Sequence, residues 1–371
     1  MQAKKPALQK KQLIFLIGVA VLTILVVLTL LGVFSGGAGA GSASLLRCVS
    51  SQNVTPFGSD VLYYDGMTLY CLNARGRERW SYTLGTNARF YCDDNTVAAW
   101  SGNQLHIINK NGQSTYNDNL SDTIQFARPG SKYVAVVLGS DASPTLVLKD
   151  LQGINANAGP QDTYQDMVML DLGFFGNGDY FWTTSVDIYG TVPDTMLGVY
   201  QANHTFTGTV SLGENLVYAV VFAGDRLNVI STQQLRRFDY HATQDPDGTV
   251  LVYGWQLQAS EVHGNTAMLL FSLADTEDTN RGINQLRLLF GKDDKRFSLP
   301  SDCVGVTLNN KRIYAFSNDT IYRADANAQR FTAISLPSEL NGRTVTGYLG
   351  LLKNGVALLA CDSDVYAVTL P

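Results

Sequence analysis

A unit of three short strands recurs along nearly the whole chain, and this repeat constrains the fold more than any other feature. Its clearest copy runs from Val61 to Leu84. Val61–Tyr64 is apolar and ends at Asp65-Gly66, a dipeptide suited to reversing the chain. Thr68–Leu72 follows, ends at the turn Asn73-Ala74-Arg75-Gly76, and Arg79–Leu84 runs back. With Leu69 as the marker of the middle strand, Trp100–Gly112 repeats Tyr64–Gly76 at a spacing of 36 residues and places Leu105 at the marker. Further copies place it at Leu146, Leu197, Leu227, Leu286, Ile321 and Val365.

Eight units over residues 48–371 are spaced by about 40 residues, and repeats of about 40–45 residues with about four strands are the pattern of a β-propeller. The fold expected is therefore all-β: a β-propeller of about eight four-stranded blades, with seven as the alternative count. A small sheet cannot cover both its faces alone, so neighbours pack around an axis. This also accounts for strands apolar at almost every residue, such as Tyr133–Leu138, which must be covered on both sides. The last unit has three strands before Pro371. A segment near Leu45–Thr55 is expected to supply its fourth and so remove an open sheet edge. That closure would bring Cys48 toward Cys361, and a disulfide there would need Cα atoms within about 7 Å.

Ahead of the repeats, Leu13–Phe34 is free of charge. As a helix it would span about 33 Å, against a hydrocarbon core of about 30 Å. Lys4, Lys5, Lys10 and Lys11 precede it, which by the positive-inside rule puts the N-terminus in the cytoplasm. The layout expected is a cytoplasmic basic tail at 1–12, a transmembrane helix at 13–34, a Gly/Ser/Ala linker at 35–47 and an extracellular propeller at 48–371. This describes a single-pass protein of the cell membrane. A cleaved signal peptide ending at Ala38-Gly39-Ala40 is the competing reading, although an apolar signal region is usually about 7–15 residues.

Charge and motifs exclude more than they nominate. Without the four N-terminal lysines the chain carries 23 basic against 32 acidic side chains, a net of −9, which argues against a nucleic-acid partner. The five cysteines form no CxxC pair and no zinc spacing, and they read as small buried hydrophobes. His106, His204, His241 and His263 show no metal-binding spacing, and no GxSxG or P-loop occurs. Gly173–Gly178 reads as a hairpin turn at Asn177-Gly178. The acidic clusters Asp245-Pro246-Asp247, Asp275–Asp278 and Asp362–Asp364 lack EF-hand spacing and read as solvated turns. No catalytic residue, cofactor or metal is nominated.

Aromatic side chains are the better candidates. Trp182, Tyr189, Tyr253 and Trp255 fall in the fourth unit and in the extended connection after the fifth. Packing between blades competes with a partner-binding role for each, and Tyr and Trp are enriched at binding hot spots. The longest departures from regular spacing, Asp150–Asp166 and Phe238–Ala267, are where partner contacts are expected.

The segment Leu69–Ala74, followed by Gly76-Arg77-Glu78-Arg79-Trp80, resembles the quinoprotein-like (PQQ-like, WD40-like) propeller repeat, in which a Gly-containing turn leads into a strand carrying Trp. The whole arrangement resembles the membrane-anchored β-propeller family of clostridial-type Gram-positive bacteria. That resemblance implies topology more than activity, and it brings no quinone site, because the chain has no adjacent cysteine pair. The function expected is a membrane-anchored, extracytoplasmic, non-catalytic scaffold. It would be held in the cell membrane by Leu13–Phe34 and would bind an envelope protein or the cell wall. The alternative is a glycan-binding or glycan-processing propeller with a carboxylate site in the central funnel.

Overall fold

The computed structural model describes residues 41–156, 162–163, 166–202, 206–274, 282–328 and 330–371. It is a ring of eight antiparallel sheets of four strands each. In seven sheets the strands pair in chain order, beginning with Thr55–Phe57, Asp60–Tyr64, Thr68–Asn73 and Glu78–Thr83 in blade 1. In the eighth, Gly347–Leu351, Val356–Cys361 and Asp364–Thr369 take their fourth strand from Ala43–Val49. Leu45 pairs with Tyr366, and Ala43 with Val368. The ring thus closes between the two ends of the described chain, as the missing strand requires. The closing strand starts earlier than expected, inside the stretch read as linker, because Thr55 already belongs to blade 1.

The first strand of each blade lies nearest the axis. Several of these first strands touch their counterparts in the next blade, as Gly347–Leu351 touches Thr55–Phe57. Between neighbouring sheets sit eight apolar clusters. Leu69 and Cys71 of blade 1, for example, meet Val97, Ala99 and Ile108 of blade 2. All eight marker residues are buried. Burying a leucine of this kind contributes about 1.5–3 kcal/mol, so the markers read from the repeat are also main anchors of the core. One of them occupies a different strand from the rest. Leu227 lies on the second strand of blade 5 (Arg226–Ser231), and the third strand is Gln234–Phe238, with Leu235 at the equivalent buried position. Every hairpin of a meander presents apolar–turn–apolar, so the pattern alone does not say which hairpin is being matched.

The turn between third and fourth strands repeats in detail. Asn73 Oδ1 accepts from the amides of Arg75 and Arg77, Asn109 Oδ1 from Asn111 and Gln113, and Asp150 Oδ1 from Gln152 and Ile154. A glycine three residues on, Gly76, Gly112 or Gly153, takes φ of +75°, +79° or +83°. Blade 5 uses Asp239 in the same way, with Ala242 at φ +57°.

One expectation needs correction. The helix over Leu13–Phe34 lies outside the described residues, and among the described residues no helix is long and apolar enough to cross a membrane. The fold is therefore stated as the eight-bladed propeller alone. The membrane anchor, the membrane partner and the single-pass placement with a cytoplasmic N-terminus are withdrawn, because no helix among the described residues carries them. Cys48 does come to the last blade, and Cys48 and Cys361 are both buried free thiols on opposite faces of the blade 8 sheet. Cys48 sits in the cluster with Leu358 and Val365, and Cys361 in the one with Leu359 and Tyr366.

Candidate interaction face

Strand order divides the turns between two faces. Turns between second and third strands, and the connections between blades, share one face, called here the connection face. Turns between first and second strands, and between third and fourth, share the other. On the connection face of blades 4 to 6, exposed apolar side chains gather. They are Ile188, Tyr189 and Val192 in blade 4, Leu216 in the connection to blade 5, Leu251 at the end of the fourth strand of blade 5, Tyr253 in the connection to blade 6, and Leu273 in blade 6. These make up seven of the fifteen large apolar residues exposed among the described residues, so the arc is a concentration rather than scatter.

Backbone hydrogen bonds tie these loops side by side. The Thr232 amide donates to the Leu216 carbonyl, Val252 to Gln233, and Ala274 to Gly254. A shallow depression lined by Val192, Pro193, Glu214, Asn215 and Gln233 joins the blade 4 loop to blade 5. Leu251 and Tyr253, at 72% and 81% exposure, flank the fully buried Val252. Arg287 fixes their approach. Its Nη1 donates to the Leu251 carbonyl at 2.6 Å, while Nε and Nη2 hold both oxygens of Asp294 at 2.9 and 2.8 Å. That fork holds the Asp294 carboxyl below the usual carboxylate range. The rim is acidic. Asp187, Asp194 and Glu214 lie in these loops, whose described residues include no Lys or Arg. Two of the acids also shape their turns, Asp187 accepting from the Tyr189 amide and Asp194 from Ser211 Oγ and the Gly213 amide.

The four aromatic residues nominated from the sequence thus separate. Tyr189 and Tyr253 stand on the arc. Trp182 is buried in the cluster between blades 4 and 5. Trp255 is partly buried against the cluster between blades 5 and 6, with the guanidinium groups of Arg287 and Arg296 at 6.0 and 5.7 Å from its ring. Of the two long departures, Phe238–Ala267 does contain a long connection, residues 239–249, between the third and fourth strands of blade 5. It holds the short fourth strand of blade 5 and the first strand of blade 6, Trp255–His263, which alternates half-buried with exposed residues. In Asp150–Asp166, residues 157–161 and 164–165 lie outside the described residues, as do Asp275–Asp278 and His204. Leu251 and Tyr253 fall in the stretch Phe238–Ala267 where contacts were expected, while Ile188, Val192, Leu216 and Leu273 were missed and carry no signal separating them from core positions.

The axial funnel carries two acids on its eight innermost strands as described, Asp171 and Glu261. Asp171 is paired with Arg128 at 2.9 Å, and the Arg128 guanidinium also lies 4.1 Å from the centre of the Tyr91 ring. Glu261 accepts from the amides of Asn310 and Lys311 and faces His263 Nε2 at 2.9 Å. The two belong to different local networks and do not converge on one point. Among the described residues no group of three or more His, Cys, Asp or Glu could hold a metal ion.

No family model matches the sequence, and no curated protein matches it. Among solved structures the chain is similar to apo AztD from Citrobacter koseri, with 13% identity over 77% of this chain and 86% of that one and a TM-score of 0.50. It is also similar to BamB from Moraxella catarrhalis, with 10% identity, 89% and 99% coverage and a TM-score of 0.49. A third is the Pan2 WD40 domain from Neurospora crassa, with 7% identity, 86% and 89% coverage and a TM-score of 0.47. At 13% identity the likeness to AztD shows the propeller fold alone. Membership of the membrane-anchored clostridial family is accordingly withdrawn with the anchor.

Proposed function

We propose that this propeller is a non-catalytic protein-binding scaffold whose partner seats on the connection face of blades 4 to 6. The carrying observation is the gathering of exposed apolar side chains from Ile188 to Leu273 on one face, since exposed apolar groups concentrated in one region mark interaction sites. Tyr189 and Tyr253 are the proposed contact residues, while Trp182 packs within the core between blades 4 and 5 and Trp255 packs beside the buried Val252. The acidic rim favours a partner with basic groups around an apolar centre, because charge complementarity sets orientation and partner choice. The engagement of both funnel acids favours binding over acid–base chemistry.

The test is in-cell crosslinking and mass spectrometry of the full chain, comparing the native protein with a Leu251→Asp/Tyr253→Asp double variant. A specific protein partner, cross-linked through residues 188–192 or 251–253 and lost in the double variant, is expected. Retention of every partner by the double variant, or cross-links mapping only to the other face, would overturn the proposal. So would binding to purified glycan without any protein partner.

A further inference from the structure

On the face opposite the arc, a cleft of about 450 Å³ opens between blades 4 and 5. Its wall is a row of four rings. Phe222 lies 4.8 Å from Phe175, Phe175 lies 5.9 Å from Tyr180, and Tyr180 lies 5.6 Å from Tyr240, each pair tilted by 57°. The row is built rather than incidental. Phe175 is buried in the cluster between the two blades, and Tyr180 and Phe222 pack against it. The Tyr180 hydroxyl accepts from Gln201 Nε2 at 3.1 Å, which fixes that ring. Tyr240 sits on the turn capped by Asp239 and stays partly exposed over the opening. The mouth is kept clear by two glycines. A Cβ on Gly176 would come within 3.2 Å of the Phe222 ring, and Gly224 turns the chain at φ +66°.

The charge in the lining has one sign. Asp225 is the only ionised side chain there, and no Lys, Arg or His lines the cleft among the described residues. The base nearest its carboxylate in the ion pairs is its own neighbour Arg226, at 3.6 Å, with both side chains largely in water. Aromatic rings carry a negative face, so any ring face met by a ligand here adds to the carboxylate. An anion meets repulsion here and a neutral ligand gains only contact. A cation with an apolar surface gains on both counts, as in the aromatic recognition of quaternary ammonium groups. The cavity is also of small-ligand size.

We propose that this cleft binds an alkylated ammonium group, either of a free small molecule or at the end of a lysine side chain in a peptide. The rings contact the alkyl groups and Asp225 faces the charge. This site is separate from the connection face, and neither proposal depends on the other.

Choline, its neutral isostere 3,3-dimethylbutan-1-ol, and a short peptide carrying trimethyllysine would be titrated into the full chain while aromatic NMR resonances are followed. Saturable binding of choline or the peptide is expected, with the isostere about tenfold weaker or worse. Tyr240→Ala should weaken the cation about tenfold, and Asp225→Asn about threefold to tenfold. Both positions are partly or well exposed, so a thermal melt checks that each variant stays folded. Tighter binding of the peptide would identify a protein source of the cation, and tighter binding of choline a free one. Equal binding of the isostere, insensitivity to both variants, or failure of both cations to saturate would overturn the proposal.

Discussion

Trp80 and Gly112 interlock blades 1 and 2. The indole Nε1–H donates to the Lys110 carbonyl at 3.0 Å, and the ring occupies the space that a side chain at 112 would need, 2.5 Å from an ideal Cβ there. Gly112→Ala therefore meets two penalties. A positive φ costs an L-residue about 1–2 kcal/mol, and overpacking adds about 1–3 kcal/mol. Trp80→Ala should cost about 2–3 kcal/mol, less than for a fully buried ring. Urea unfolding midpoints check both. An unchanged midpoint for Gly112→Ala would remove the interlock from the account of stability.

The same relationship recurs with a different ring. A Cβ on Gly153 would fall 1.8 Å from the Tyr116 ring, and Tyr116 also sits 4.8 Å from Lys149 Nζ. Gly153→Ala is expected to destabilise at least as much as Gly112→Ala, measured in the same way. Tyr116→Trp should be tolerated poorly, because the larger ring must share the space with the Lys149 ammonium, which is bonded to the Gly153 carbonyl and Asn155.

These two interlocks show what was legible in the sequence. Blade 1 announced itself because Trp80 follows Gly76 in the repeat order, while blade 2 keeps the turn and replaces the ring with Tyr116, which composition does not distinguish from any strand tyrosine. Blade number and closure were readable because burial on both faces forces apolar runs at regular spacing. The register of blade 5 was not, since Leu227 and Leu235 both sit in apolar hairpins. Nor was the division of the aromatics: Trp182 and Tyr189 are close in sequence, yet one faces a neighbouring sheet and the other stands exposed in a turn. Strand direction, set by pairing across the whole sheet, decides which.

Closure predicts a dependence on Ala43–Val49. This strand covers the edge of Asp364–Thr369, and Leu46 is buried against blade 1 residues such as Val61. A chain lacking residues 43–49 should expose a long apolar edge and self-associate. Light scattering at rising concentration checks this. A monodisperse, fully folded monomer would mean that the ring holds without its closing strand.

The cysteines are predicted to be inert. Burial pushes the Cys48 thiol up to about 11 and those of Cys71, Cys92 and Cys303 up to about 12, and it also raises Cys361. The nucleophile is the thiolate, so at pH 8 a thiol reagent should find none of them quickly in the native protein. All five should react once the chain is unfolded. A fast native phase equivalent to one thiol would show that at least one wall of the core opens readily.

His106 gives the last prediction, a pH dependence. It replaces the Tyr70 of the first blade on the third strand of blade 2 and is buried. Its Nδ1 lies 3.2 Å from the Tyr82 hydroxyl, while Nε2 is buried without a partner. A neutral imidazole has one donor and one acceptor, so whichever tautomer is present, Nε2 goes unmet at a cost of about 1–3 kcal/mol. Protonation would leave an unpaired charge in the same place, and burial accordingly lowers the His106 pKa. The unfolded chain then binds the proton more readily than the native one. No penalty exists above the unfolded value of about 6.5. It grows as pH falls past that value and is complete once pH lies below the native pKa. His106→Leu removes both the orphan nitrogen and the titration at similar volume. Its stability should match or exceed the native protein at pH 7.5, and the gap should widen between pH 7 and 5 in denaturant titrations. Parallel curves over that range would exclude His106 as the titrating group.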